Sequence, residues 1–406
     1  MASRLSPRAW ARRIDPLRLA AAAAAFAVVG LLAATRTPPP ARATVPVAQA
    51  PDMRLAEAAW TVECPAPSGR LVPAPDHAGR TGTPGCRFHP ADPGGGQDGI
   101  CGVTVSLLIP ECGAWWGLYT KPPDGTANWA GGVTNIENRV HRQFDLVYRF
   151  HWWDATVPDD DERRLAANGH YLRINLRTQD AGGRQLRWAA IAAGAQDATI
   201  DRHAREIAAL RSPVFLSVDQ EPETDAGTEG TAADFAAAWR HIHDRFAAVR
   251  NVIWVWTVTG YAGHRDLDGE LYPGDRYVDW VSWDAFDFGG CHLSPPQSFA
   301  DTVGPFYRWL IEHGYGTKPF MLSEFGSTDQ AGSRALFAGI PAALQRLPNI
   351  RALILFNSEF PARPDAPVRS LADLCDTRVT ASPTTLAAFA GAGHDPYLNH
   401  PLRRWR

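Results

Sequence analysis

From about residue 112 onward, short apolar runs alternate with amphipathic segments. The run "SPVFLSV" at 212–218 is short enough for a buried strand, and "TAADFAAAWRHIHDRF" at 231–246 repeats its apolar residues at helical spacing. We count about eight such strand–helix units, the number found in a (β/α)8 TIM barrel. Because apolar strands separated by helices form parallel sheets covered on both faces, the pattern predicts this α/β fold over residues 112–397. A doubly wound open sheet is the alternative, although no glycine-rich nucleotide loop follows any strand.

The N-terminal part of the chain has a different texture. Several arginines precede the apolar run "LAAAAAAFAVVGLLAAT", and "ARA" at 41–43 offers small residues for cleavage. We therefore expect residues 1–43 to be a signal peptide, with an uncleaved signal anchor as the alternative. Residues 44–52 read as a Pro/Ala linker and residues 53–111 as a Cys/Gly/Pro-rich extension. The expected location is secreted and extracellular, or membrane-anchored and extracytoplasmic if the segment is retained.

Charge and aromatic content narrow the class of ligand. Charged residues make up 20% of the chain and the net charge is −3, so no basic face indicates a nucleic-acid partner. The 15 tryptophans offer flat faces that suit sugar rings, although core packing explains any single one equally well.

Cysteines in an exported chain predict disulfides rather than free thiols. The six cysteines fall into an early group of four and a late, widely separated pair. The first group consists of Cys64, Cys86, Cys101 and Cys112, and we predict two bridges within it, whose pairing the sequence leaves open. In the second group we predict the bridge Cys291–Cys375. A zinc site is the rival interpretation, but no CxxC pair or matching histidine spacing supports it.

Carboxylates follow two of the predicted strands. The fourth strand ends in "VDQEPE", which contains Asp219 and Glu221, and the seventh ends in "SEFG", which contains Glu324. Strand parity puts Asp219 and Glu221 on one face, and Pro222 breaks strand geometry before Glu223. Catalytic residues of such barrels lie at the carboxyl ends of the strands. Retaining glycosidases need two carboxyl groups about 5 Å apart, so Glu221 and Glu324 are the candidate pair.

Other strand ends supply candidate sugar contacts. His151 and Trp152 follow the second strand, Trp256 ends the fifth, and Asp284 lies in the sixth with a side chain that parity turns toward the barrel mouth. For each tryptophan, packing in the core is the competing interpretation. No set of strand-end His and Asp residues has metal-ligand spacing, so we expect no metal and no organic cofactor.

Several motifs together resemble glycoside hydrolase family 26. They are "DQEPE" on the fourth strand, "NVIWVWTV", "YPGDRYVDWVSWDAFD" and "SEFG", and the segments "GAWWGLYT" and "CDTRVTASPTTLAAF" also look like its actinobacterial members. The family belongs to clan A and contains mainly endo-β-1,4-mannanases. The resemblance covers residues 112–397 and implies that Glu221 is the acid/base and Glu324 the nucleophile. It implies double displacement with retention of configuration.

Two positions depart from the family pattern. Typical members have His before the acid/base, where this chain has Gln220, and many have Tyr where this chain has Phe286. Both residues are candidate substrate contacts. The sequence therefore predicts a secreted, monomeric, retaining β-glycosidase acting on β-mannan. The alternatives are another β-glycan, such as mixed-linkage glucan or β-1,3-xylan, and a non-catalytic carbohydrate-binding barrel.

Overall fold

Eight parallel strands close into a barrel, and helices cover its outside. The computed structural model describes residues 103–104, 106–122, 128–289, 291, 295–361 and 374–399. Each strand pairs with its sequence neighbours, and β1 pairs with β8 to close the sheet. The strands are β1 Trp115–Thr120, β2 Leu146–His151, β3 Tyr171–Leu176, β4 Val214–Val218, β5 Val252–Val258, β6 Trp280–Asp287, β7 Phe320–Ser327 and β8 Ile350–Asn357. The prediction of a (β/α)8 barrel is confirmed.

Helices connect the strands. They are α1 Trp129–Val140, α2 Asp160–Ala167, α3 Trp188–Ala192, α4 Asp197–Leu210, α5 Ala232–Arg245, α6 Arg265–Leu271, α7 Phe299–Glu312, α8 Ser333–Leu344 and α9 Pro383–Gly393. Two of them, α3 and α6, were not predicted from the sequence pattern. Side-chain capping explains why α5 begins where it does. The hydroxyl of Thr231 accepts from the Asp234 N–H, and the Asp234 carboxylate accepts from the Thr231 N–H. This reciprocal capping box fixes the first turn.

Alternation along the strands divides the core into two layers. Outward residues pack with the helices, and inward residues fill the barrel with large side chains. The inward set includes Trp115, Leu146, Tyr148, Phe215, Ile253, Trp280, Met321 and Ile354. Since the interior is packed, a ligand has access only at the ends of the barrel.

The amino-terminal end of the barrel is closed by the last described part of the 53–111 extension. Trp115 Nε1 donates to the Leu108 carbonyl at 2.6 Å, and Trp280 Nε1 donates to the Leu107 carbonyl at 2.8 Å. Both tryptophans start their strands, so residues 107–109 cover the bottom of the barrel. The open end is therefore the carboxyl end.

A short hairpin covers one side of that open end. Strands β9 Glu359–Pro361 and β10 Leu374–Asp376 pair antiparallel after β8. The Cys291–Cys375 disulfide joins the hairpin to the segment that follows β6. This bridge was predicted and is confirmed, whereas Cys64, Cys86 and Cys101 lie outside the described residues.

The predictions for residues 1–52 also fall outside the described residues. The signal peptide or anchor and the linker therefore stay predictions, as do the domain boundaries. Among the residues described, no helix is both long and apolar enough to span a membrane.

Gly117 of β1 gives a test of the barrel's close packing. A Cβ there would lie 2.9 Å from Leu146 Cβ and 2.9 Å from Ile354 Cγ1, on the two neighbouring strands. We expect Gly117→Ala to lower the free energy of unfolding by about 1–3 kcal/mol. Gly339→Ala in α8 is the matched control: apart from its own stretch of helix, no described atom lies within 4 Å of its Cβ position, so better helix propensity should stabilise the protein slightly. Denaturant unfolding measures both, and equal effects would contradict the packing described.

Candidate active site

The side chain of Gln220 joins three strands at the open end of the barrel. Its Nε2 donates to Asp284 Oδ2 of β6 at 2.6 Å and to Glu324 Oε1 of β7 at 2.8 Å. Its Oε1 accepts from the hydroxyl of Tyr148 on β2. Both amide hydrogens and the carbonyl are thus used, and the neutral amide holds two carboxyl groups side by side.

A tight turn sets the positions of Gln220 and Glu221. Strand β4 ends at Val218, and both Asp219 (φ 46°) and Glu221 (φ 60°) have left-handed backbone. Such a conformation costs about 1 kcal/mol or more in a residue with a side chain, and it is typical of functional sites. The turn is held by the Glu221 N–H, which donates to the Thr257 carbonyl of β5 at 3.1 Å.

Strand parity, which the sequence analysis used to choose Glu221, does not account for where its side chain lies. Strand geometry stops before Asp219, whose carboxylate turns away to accept from Trp188 Nε1 at 2.9 Å and from the Thr178 N–H at 3.3 Å. Glu221 reaches the carboxyl cluster because the left-handed turn redirects it, and not because it shares a strand face with Asp219.

Glu221, Asp284 and Glu324 form one electrostatic unit. Burial raises the pKa of Glu221 to about 8, with the negative charges of Glu223 and Asp225 adding to the effect. Burial also raises the pKa of Glu324 and of Asp284 well above the usual range, and repulsion from neighbouring carboxylates contributes. Three carboxyl groups this close cannot all ionise near neutral pH, so the unit retains at least one proton.

Two arginines of the β3 segment offset this negative charge. Arg173 is fully buried in the barrel and donates to Thr257 Oγ1 at 2.9 Å and to Ser323 Oγ at 3.2 Å. Arg173 and Arg177 both lower the pKa of Glu324 through their positive charge, and so does the hydrogen bond from Gln220. These three interactions favour the ionised form of Glu324, whereas burial and the charge of Glu221 oppose it.

Aromatic rings form one wall beside the carboxyl groups. They come from the ends of β1, β2, β6 and β8 and from the disulfide-linked hairpin, and they are Tyr119, Phe150, Phe286, Phe288, Phe356 and Phe360. Tyr119 and Phe356 stack with centroids 4.5 Å apart. Phe286 contacts Phe356, with ring centroids 5.8 Å apart, and the half-buried wall gives the site an apolar side.

Comparison with known proteins finds two similarities in sequence, both to glycoside hydrolases. The sequence model described as Glycosyl hydrolase family 26 matches residues 226–301. Endoglucanase H from Acetivibrio thermocellus is 27% identical over 249 residues, which cover 55% of this chain and 25% of that protein. The match thus spans about a quarter of the length of this curated relative. Over residues 226–301 the chain is similar to glycoside hydrolase family 26.

Solved structures of family 26 proteins share the fold. The catalytic domain of an endo-β-1,4-mannanase from Bacillus sp. JAMB-750 has a TM-score of 0.50 at 14% identity, covering 71% of this chain and 88% of that one. A β-mannanase from Bacteroides ovatus has a TM-score of 0.50 at 13% identity, covering 72% of this chain and 90% of that one. At these identities the likeness concerns the fold alone.

The family match covers only part of the site. Residues 226–301 include Asp284 and Phe286 but exclude Gln220, Glu221 and Glu324. The catalytic roles implied by the resemblance to family 26 therefore stay predictions. The structure does place Glu221, Glu324, Gln220 and Asp284 together in one cluster.

Three other predicted contacts differ in placement. Trp152 is half-buried near the open end, with the Arg177 guanidinium 5.2 Å from its ring centroid. His151 instead points outward and pairs with Glu162 of α2 at 2.8 Å. Trp256 is fully buried and packs against Tyr272 on the helix side of the barrel, so it has no face to offer a sugar. The expectation for His151 and Trp256 is corrected, because both alternate to the outside of their strands.

In the part of the chain that the structure describes, one group of three carboxyl side chains brings its oxygens within 4.8 Å of one another: Asp219, Asp225 and Glu229. Trp188 Nε1 donates to Asp219, and the Thr178 hydroxyl donates to Glu229. These protein donors anchor the loop after β4. The expectation that the enzyme needs no metal stays a prediction.

Sequence reasoning missed several residues of the site. Tyr148, Arg173, Asn175 and Arg177 were not singled out, yet Asn175 Oδ1 accepts the Gln220 N–H at 3.0 Å. Alternation in "YLRINLR" places Arg173, Asn175 and Arg177 on one face of β3 and its extension. Polar residues repeating with period two in an otherwise apolar strand were the available signal.

Gln220→Leu tests the amide contact with Glu324. Loss of the donor removes a hydrogen bond that favours the ionised carboxylate, so the pKa of Glu324 should rise. If Glu324 must be ionised for activity, the acidic limb of the pH profile of kcat/KM should move to higher pH by about one to two units. Gln345→Leu, at the exposed end of α8, is the control. An unmoved acidic limb would contradict this role for Gln220.

Proposed function

We propose that this protein is a secreted, retaining glycoside hydrolase of family 26 that cleaves β-mannan with Glu221 as acid/base and Glu324 as nucleophile. The observation that supports it is that these two carboxyl groups share one cluster at the barrel mouth, where the charge of Glu221 raises the pKa of Glu324 and Gln220 donates to both Glu324 and Asp284. Retaining chemistry needs one protonated and one ionised carboxyl group at neutral pH.

The environments of the two groups support distinct roles. The pKa of Glu221 at about 8 keeps its carboxyl protonated at neutral pH, as a general acid requires. Glu324 accepts a hydrogen bond from Gln220 and lies near two guanidinium groups, and these interactions favour its charged form against the effect of burial. The choice of Glu324 as nucleophile rests on the family resemblance together with these contacts.

The reaction then has two steps. Glu324 attacks the anomeric carbon while Glu221 gives its proton to the departing glycosidic oxygen, and a glycosyl ester forms on Glu324. Glu221, now ionised, takes a proton from water, and that water attacks the same carbon and releases Glu324. Two inversions leave the product with the configuration of the substrate. Arg173 and the Gln220 amide stabilise Glu324 when it leaves as a carboxylate.

The substrate assignment rests on the family resemblance, and β-1,4-mannan is the first candidate. A β-glucan is the second, and the name of the relative at 27% identity, Endoglucanase H, favours it. Gln220 and Phe286, the two departures from the family pattern, both border the carboxyl cluster, where such a difference in sugar recognition would act. Secretion is supported by the predicted signal peptide and by the Cys291–Cys375 disulfide.

A substrate panel tests the proposal. Purified protein is incubated with mannan, mixed-linkage glucan, β-1,3-xylan and cellulose, while reducing ends and retained binding are measured. We expect cleavage of mannan or glucan, and NMR of the first-formed product should show the β anomer. An α anomer would exclude double displacement. Binding without cleavage of any glycan would support a carbohydrate-binding barrel instead.

Isosteric variants separate the two carboxyl roles. Glu221→Gln should slow polysaccharide cleavage by about 10²–10⁴-fold, but should spare glycosyl-enzyme formation from an aryl glycoside whose leaving group needs no proton. Glu324→Gln should abolish the first step with either substrate. Glu312→Gln, exposed on α7, is the control. A Glu324→Gln variant that still forms the intermediate would show that the nucleophile is another residue.

A further inference from the structure

A second pair of buried carboxyl groups lies behind Glu221. Glu223 is 6% exposed and Asp268 is 0% exposed. Within the described part of the chain, Glu223 Oε2 and both carboxylate oxygens of Asp268 have no hydrogen-bond partner. Unpartnered buried carboxyl groups are costly when ionised, so their presence beside a catalytic carboxyl calls for a physical role.

The backbone holds Glu221 and Glu223 against the same strand end. Glu221 donates its N–H to the Thr257 carbonyl, and Glu223 Oε1 accepts the N–H of Thr259 two residues further along. Glu223 lies in the 3₁₀ turn Pro222–Thr224, which packs against α6. Asp268 lies on that helix, so the three carboxyl groups run from the barrel mouth outward.

The charges around this row are unevenly distributed. Glu221 faces Arg177 as well as the acidic Asp225, Asp284 and Glu324. Asp268 faces Arg265, on its own helix, and Glu223. Among the described residues no cation forms a salt bridge with Glu223, so hydrogen bonds from Thr259 are what favour its charge, and that charge acts on Glu221 and Asp268.

We propose that Glu223 is a positioning residue whose negative charge keeps the proton on Glu221, and that Asp268 stays protonated behind it. This proposal rests on the assignment of Glu221 as the acid/base. The contacts around these groups support it. The Thr259 N–H donates to Glu223 Oε1, which favours the ionised form of Glu223, whereas both carboxylate oxygens of Asp268 lack a donor among the described residues. Burial raises the pKa of Glu221 to about 8 and that of Asp268 to about 9, and a negative charge on Glu223 adds to both effects.

A charge on Glu223 would set the pH range over which Glu221 can act as the general acid. The general acid must be protonated, so the basic limb of the pH profile falls where Glu221 loses its proton. A charged Glu223 moves that limb upward and extends activity toward mildly alkaline pH. The three groups titrate as a coupled set, and the limb reports the set rather than one residue.

Glu223→Gln tests this directly, because the amide keeps the shape and removes the charge. We expect the basic limb of kcat/KM on polysaccharide to move to lower pH by about one unit, with little change at the acidic limb. Glu270→Gln, exposed on the same helix as Asp268, is the control and should leave the limb in place. A uniform loss of activity at all pH values, with an unmoved basic limb, would overturn the proposal.

A titration independent of activity separates this proposal from the proposed function. Infrared difference spectra follow the C=O band of protonated carboxyl groups in the wild type, in Glu221→Gln and in Glu223→Gln. The part of the C=O band that is absent from Glu221→Gln belongs to Glu221. In Glu223→Gln this part of the band should titrate at lower pH than it does in the wild type. An unchanged midpoint would refute the role of Glu223 even if hydrolysis is found, whereas a shifted midpoint without any hydrolysis would leave the coupling intact and refute only the enzymatic role.

Asp268→Asn examines the outer end of the row. Asp268 keeps its proton in the folded protein but loses it on unfolding above about pH 4, so the wild type should lose stability as pH rises toward about 9. The asparagine variant lacks this loss. The thermal midpoint of the variant minus that of the wild type should therefore increase as pH rises from about 5 to about 8. A constant difference would show that Asp268 is ionised in the fold.

Discussion

The constraint on which the site depends is the confinement of several carboxyl groups in a barrel mouth with few compensating cations. Gln220 meets this constraint with one neutral amide that donates to both Asp284 and Glu324. Arg173, fully buried below, supplies fixed positive charge. Mutual repulsion then leaves protons on the groups with least support, which is how one site provides both an acid and a nucleophile.

A glutamine at this position has a physical consequence that a histidine would not have. Its amide stays neutral and keeps its two N–H donors at every pH, so it cannot release a proton to the carboxyl groups or take one from them. The protonation of the cluster therefore depends on the carboxyl groups themselves and on the acidic residues behind them. Phe286 likewise supplies no titratable group, and its ring, which lacks the hydroxyl of a tyrosine, can donate no hydrogen bond to a carboxylate.

Much of the fold and part of the site followed from the sequence. Strand–helix alternation gave the barrel, and the late cysteine pair gave the Cys291–Cys375 bridge. The rest depended on geometry that periodicity does not encode. The left-handed turn at Glu221 ended strand parity early, and it buried Glu223, which Pro222 had made an unattractive candidate. Trp256 was misjudged because an apolar strand end does not reveal which side faces the helices.

The central claim is that Glu324 becomes covalently attached to the sugar. A 2-deoxy-2-fluoro glycoside with a good leaving group slows the second step and lets the glycosyl-enzyme accumulate, so mass spectrometry of the digested protein identifies the modified residue. The account predicts one added glycosyl unit on the peptide that contains Glu324. Modification of a peptide carrying Glu221, Glu223 or Asp284 instead, or turnover with no adduct on Glu324, would contradict it.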